Sequence, residues 1–154
     1  MPYPRQLPAT GTCRCGRVRL RVTKPAMLSM ACHCHGCQKM TGSAFSLSLA
    51  MPADGVEVLE GELVRGGLQG EHSHLYCAFC KSWVMTRPAG LDWLVNLRAS
   101  VLDPHADFVP FIETCTDARL PWASTPAKHS YTGFPAMEDY QPLVAAYAAE
   151  TADA

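Results

Sequence analysis

The chain lacks any stretch near the roughly 20 consecutive apolar residues that a membrane-spanning helix needs. Its opening segment, MPYPRQLPATG, holds no apolar run of signal-peptide length and is broken by three prolines. The expectation is a soluble, unexported, cytoplasmic protein with no membrane partner. It also lacks an excess of either charge. Lys and Arg number 13 against 14 Asp and Glu, for a net charge of -1. Nothing therefore draws the chain globally to nucleic acid or to an anionic surface, and no nucleic-acid partner is expected. Internal repeats, low-complexity tracts and linkers are absent, and helix signals are few.

What is present is a core's worth of apolar material. Hydrophobic residues make up 48% and charged residues 18% of 154 residues, which excludes compositional disorder and suits one domain over residues 1–154. The apolar pattern is that of short strands. Residues 17–22 alternate Arg17, Arg19 and Arg21 with Val18, Leu20 and Val22, the period of a half-buried strand with a solvated arginine face. Residues 44–50 set Phe45, Leu47 and Leu49 inward against Ser46 and Ser48. Val56 and Val58 begin a strand closed by Gly61. Gly66 and Gly67 suggest a hairpin of 62–65 with 71–77. Further strands are expected at 83–87, 93–98 and 108–113, the last at an edge or bulge because of Pro110. Gly36–Thr41 reads as one helical turn stopped by Gly42. Residues 138–150 read as a helix with Pro142 near its first turn. Twelve prolines, several of them in 104–142, suggest that the carboxy-terminal third wraps the surface irregularly.

Eight cysteines in an unexported chain point to metal rather than disulfides. Cys13 and Cys15 stand in GTCRCG, Cys32, Cys34 and Cys37 in CHCHGC, Cys77 and Cys80 in CAFC, and Cys115 alone. Four thiolates about 2.3 Å from one zinc lie roughly 3.8 Å from one another. Pairs one or two residues apart reach that spacing when the backbone turns tightly, and Gly11 and Gly16 permit the turn around the first pair. A zinc shared by Cys13, Cys15, Cys77 and Cys80 would clip two distant hairpins together. Spacing equally allows Cys32 and Cys34 to join Cys77 and Cys80, leaving Cys13 and Cys15 with Cys37. The middle group supplies three thiolates and no evident fourth. Structural zinc sites are closed by four protein ligands and catalytic ones keep a position open. Cys32, Cys34 and Cys37 thus read as a second, open zinc site, as a labile thiol cluster, or as a closed site completed by His33, His35, His72 or His74.

The motifs GTCRCG, CHCHGCQKMTGSAF, YCAFC and LPW, in this order from Gly11 to Trp122, resemble the glutathione-dependent formaldehyde-activating (GFA) enzyme family, which also includes centromere protein V. The resemblance implies a mostly β fold of small zinc-stapled sheets in a tent-like arrangement, with a short carboxy-terminal helix. The motif-bearing core would span 11–122, and the wrap and helix 123–150. It also implies that Cys13, Cys15, Cys77 and Cys80 hold a structural zinc, and that Cys32, Cys34 and Cys37 form the catalytic, second zinc site. Two departures from the family pattern stand out. Lys81 occupies the position after the CxxC pair where the family usually has glycine, and Tyr76 replaces a phenylalanine.

The implied activity is that of a carbon–sulfur lyase: addition of glutathione to formaldehyde, giving S-hydroxymethylglutathione. The implied partners are glutathione or a related small thiol and a small aldehyde. Glutathione carries two carboxylates, for which Arg14, Arg17, Lys24, Lys39 and Arg119 are the candidate partners, although Arg17 also belongs to the alternating strand face. His33 and His35 are candidate proton shuttles or simply fill a turn beside the metal. Trp83, Trp93 and Trp122 line a pocket or sit in the core, and Cys115 reads as a buried structural thiol. The competing readings are a non-catalytic thiol-binding module, the same scaffold acting on another aldehyde or glutathione conjugate, a chromatin-type adaptor, and a redox sensor.

Overall fold

The computed structural model describes residues 3–152. The chain is mostly β, in two sheets, with a carboxy-terminal helix. Strands β1 (Ala9–Thr12), β2 (Arg19–Val22) and β5 (Val56–Glu60) form a three-stranded sheet in the order β1-β2-β5. The other eight form one sheet in the order β11-β10-β3-β4-β9-β8-β7-β6. Its members are β3 (Leu28–Cys32), β4 (Ser46–Pro52), β6 (Leu63–Arg65), β7 (Ser73–Cys77), β8 (Trp83–Arg87), β9 (Leu94–Arg98), β10 (Ile112–Thr114) and β11 (His129–Ser130). Pairing is antiparallel except where β10 lies parallel to both β3 and β11. No helix among the described residues is long and apolar enough to cross a membrane.

The alternation in 17–22 behaves as read. Val18, Leu20 and Val22 are fully buried, while Arg19 and Arg21 pair on the outer face with Glu60 at 3.2 Å and Glu57 at 2.7 Å. Leu28, Leu49, Met51, Met85, Leu97, Leu102 and Ile112 complete the core between the sheets, each buried side chain contributing roughly 1.5–3 kcal/mol. Gly11, in β1, ties the small sheet to the turn that follows β9. It bridges to Leu102, and a Cβ there would lie 2.3 Å from the Val101 carbonyl oxygen, so only glycine allows this approach.

Three expectations are corrected. In β4 it is Ser46 and Ser48 that are buried, while Phe45 and Leu47 are only half-buried. The strand lies between β3 and β9, and its serine face is turned to polar groups of the interior rather than to water. The strand at 108–113 begins only at Ile112 and lies inside the sheet, not at its edge, because Pro110 precedes the ladder instead of interrupting it. The carboxy-terminal helix α2 runs Met137–Ala152 and carries Pro142 in its interior, beyond the first turn. Residues 123–136 contain the two-residue strand β11, which pairs with β10, and Tyr131 donates its N–H to the Glu113 carbonyl at 3.0 Å.

Candidate metal centres and the adjoining cavity

The structure brings Cys13, Cys15, Cys77 and Cys80 together, with all four sulfurs within 4.8 Å of one another. Cys13 Sγ lies 3.5 Å from Cys15 Sγ, which lies 3.8 Å from Cys77 Sγ. These spacings fit four thiolates around one zinc. The local backbone explains the convergence. The Cys13 carbonyl accepts from Gly16 N at 3.0 Å, and Gly16 takes a φ of 78° to turn the chain. The Cys77 carbonyl likewise accepts from Lys81 N at 3.0 Å, and Lys81 has a φ of 58°. Backbone N–H groups then point at sulfur: Val18 N at 3.3 Å from Cys13, Cys80 N at 3.5 Å from Cys77. Such donors favour thiolate over thiol. The Ser82 hydroxyl, 3.1 Å from Cys80 Sγ, is the main cause that brings the Cys80 thiol down to about 5.

The second cluster contains Cys32, Cys34 and Cys37, again within 4.8 Å. Cys32 ends β3, and Cys34 is the N-cap of helix α1 (His35–Thr41), its sulfur accepting from Cys37 N at 3.3 Å. Gly42, with a φ of 62°, closes the helix. The cap and the closing glycine thus hold two ligand-type sulfurs on one turn. Cys32 faces Ser46 across the β3–β4 ladder, and the Ser46 hydroxyl lies 3.0 Å from Cys37 Sγ. The hydrogen bond from Cys37, outweighing burial, draws the Cys32 thiol down to about 5, while the same contact and burial push Cys37 up. One proton-poor sulfur is thus favoured in the trio, and a cation is needed before all three ionise. No histidine joins either cluster among the described residues, so neither pairing permuted between the groups nor closure of the trio by His33, His35, His72 or His74 is formed.

The donor chemistry fits zinc at both places: sulfur only, tetrahedral spacing at the first cluster, and at the second three sulfurs with no fourth ligand among the described residues.

Behind the trio stands a buried network. His33 is fully buried, and its Nε2 lies 2.8 Å from Glu113 Oε2. Glu113 also accepts from Ser130 at 2.6 Å, Thr125 at 2.9 Å and Arg119 at 3.4 Å. Burial acts to raise the Glu113 pKa, but the hydrogen bonds from Ser130, His33 and Thr125 outweigh it and hold the carboxyl below its ordinary range. His33 is thereby tied to the interior, whereas His35 is exposed on α1.

Beside both clusters lies a cavity of about 380 Å³, lined among others by Ser46, Lys81, Ser82, Trp83, Arg98 and Ser100. Ser46 and Ser82, which line it, each touch a sulfur of a different cluster. A second cavity of about 300 Å³ shares Ser82, Trp83 and Ser100 with it and adds Arg14.

The candidate cations distribute unevenly. Arg17 lies over the Phe79 ring at 3.5 Å, Lys24 pairs with Asp54 at 2.5 Å, and Arg119 points to Glu113. Lys39 is exposed on α1, and Arg14 reaches only the second cavity. Trp83 lines both cavities, but Trp93 and Trp122 are exposed and line neither. Cys115 is buried, with a φ of 55°, and its thiol is pushed up to about 12 by burial and by the charge of nearby Cys32. The residues that sequence reasoning missed are Ser46, Ser82, Arg98 and Glu113. Glu113 carried a signal, being the one acid in the apolar run FVPFIETC. Arg98 carried none.

The model of the family described as glutathione-dependent formaldehyde-activating enzyme matches residues 8–118. A crystal structure of a Rhodobacter sphaeroides protein is similar at 18% identity and a TM-score of 0.48, over 62% of this chain and 88% of that one. No curated protein matches the chain.

Proposed function

This chain belongs to the glutathione-dependent formaldehyde-activating enzyme family, and from that premise we propose that it is a cytoplasmic carbon–sulfur lyase-type enzyme that joins glutathione to formaldehyde. In the reaction the thiol sulfur bonds to the carbonyl carbon, the carbonyl π bond opens, and the thiol proton ends on the former carbonyl oxygen. The product is S-hydroxymethylglutathione. The acting unit is one domain over residues 1–154, in which β11 pairs with β10 and α2 packs against β3.

The observation that carries the proposal is the trio of Cys32, Cys34 and Cys37. Its sulfurs converge without a fourth protein ligand, beside a cavity that Ser46 lines. A zinc held there by Cys32, Cys34 and Cys37 would supply a Lewis acid for the thiol or the aldehyde. Ser46 donates to Cys37 Sγ and favours its thiolate form. Gln38 fixes α1 by donating to the His33 and Ala118 carbonyls at 2.7 and 3.0 Å. The His33–Glu113 contact holds the intervening residue of the Cys32–Cys34 turn, so His33 positions the site rather than shuttling protons. Cys13, Cys15, Cys77 and Cys80 would hold a structural zinc, which would pin the first turn to the β7–β8 knuckle.

The test is Cys34→Ser. Serine keeps the helix N-cap and removes the thiolate. The expected result is a folded protein with no acceleration of glutathione–formaldehyde exchange, followed by exchange NMR. A folded variant with full acceleration contradicts the proposal.

A further inference from the structure

Arg98 is a buried cation without an acid. It ends β9 and is only 8% exposed. Buried charges in proteins are almost always paired, yet none of the ion pairs among the described residues includes it. Its Nη2 donates to the Asn96 carbonyl at 3.4 Å, and its Nε has no hydrogen-bond partner. The guanidinium lies 4.0 Å over the Trp83 ring, which is itself stacked on Tyr76 at an interplanar angle of 9°. The aromatic stack fixes the plane of the guanidinium, so the fork is held ready at little further entropic cost. Arg98 lines the 380 Å³ cavity together with Ser46, whose hydroxyl touches Cys37 Sγ, and Lys81. A prearranged, unpaired guanidinium in the same cavity wall as Ser46, whose hydroxyl lies 3.0 Å from Cys37 Sγ, matches a ligand with a carboxylate at one end and sulfur at the other.

We propose that Arg98 binds a carboxylate of the small acidic thiol whose sulfur is directed to the Cys32–Cys34–Cys37 cluster. The proposal rests on the function above and names the residue that selects its thiol. A carboxylate in the cavity gives the guanidinium the acid it lacks, in the two-bond geometry that arginine favours. Lys81 lies in the same wall and adds positive potential. The competing role for Arg98 is counter-ion to the cysteine trio: burial lowers its pKa to about 10, and Cys37 and Cys32 act against that by favouring the protonated form. That role leaves unexplained the cavity that the Arg98 side chain lines.

The experiment is calorimetric titration of the zinc-loaded protein with S-methylglutathione, which keeps both carboxylates and cannot react, and with its dimethyl ester. Arg98→Met is expected to weaken S-methylglutathione binding about 10- to 100-fold, and Arg98→Lys less, with zinc content and circular dichroism unchanged. The ester is expected to bind wild type weakly and to lose nothing further in Arg98→Met. Should Arg98→Met not fold, Arg98→Lys reads the same loss on a smaller scale. Equal S-methylglutathione affinity in wild type and folded variants overturns the assignment, as does no binding to wild type. Loss of zinc with ligand affinity intact also overturns it, and makes Arg98 the counter-ion. The proposed reaction fails separately. If wild type gives no acceleration of exchange but binds S-methylglutathione through Arg98, the reaction falls and the assignment stands. If exchange is accelerated and Arg98→Met leaves KM for glutathione unchanged, the assignment falls and the reaction stands.

Discussion

His33 and Glu113 meet at 2.8 Å in the interior, with His33 wholly buried and Glu113 nearly so. They join the turn between Cys32 and Cys34 to β10, the strand parallel to β3. Three further side chains, Ser130, Thr125 and Arg119, donate to Glu113, so the network stands or falls together.

Glu113→Gln is expected to destabilise the protein by about 1–3 kcal/mol, because charge-assisted bonds become neutral and one acceptor becomes a donor facing other donors. The loss has a pH signature. The folded carboxyl is held below its ordinary value of 4.5, so its contribution is fully present above that value and disappears as pH falls through the lower, folded value. Urea midpoints measured from pH 7 down to pH 3 should show the gap between wild type and Glu113→Gln closing below about pH 4.5. A gap constant with pH contradicts the ionised assignment.

Lys81 stands at a φ of 58°, a conformation that costs a side chain with a Cβ roughly 1 kcal/mol and glycine almost nothing. The family preference for glycine after the CxxC pair thereby acquires a physical reason. Lys81→Gly is expected to raise stability by about 0.5–1 kcal/mol, less what is lost with the 2.6 Å bond from Lys81 Nζ to the Ala78 carbonyl. Metal content should not change. Urea unfolding checks this, and a fall in stability would show that the Nζ bond outweighs the backbone strain.

Ser82 supplies the main interaction that lowers the Cys80 pKa. Ser82→Ala removes it, so protons compete better with metal for Cys80. The midpoint pH for zinc release from the four-cysteine cluster is expected to rise, as followed with a colorimetric chelator. An unmoved midpoint would show that the backbone donors alone set the thiolate.

Much of this architecture is legible in the sequence because it is local. The strand at 83–87 emerges with those bounds, and Val18, Leu20 and Val22 point inward as their alternation requires. The chelating pairs carry their own turn signals, although only the folded chain chooses between partners, and here CxC and CxxC converge. What stayed hidden is set by tertiary contacts. Ser46 and Ser48 looked solvated because a strand between two others was read as if one face met water. Arg98 looked like the end of a strand, since nothing in WLVNLR announces a tryptophan platform supplied by β8. Pro110 suggested an edge because sequence alone does not reveal that the ladder starts two residues later.

The most direct test of the central claim is zinc per chain by elemental analysis, for wild type and Cys34→Ser, each purified without chelator, loaded with zinc and desalted. Two independent sulfur sites predict about two zinc ions per wild-type chain and about one per folded Cys34→Ser chain. One zinc in both proteins would contradict the second centre and, with it, the proposed chemistry.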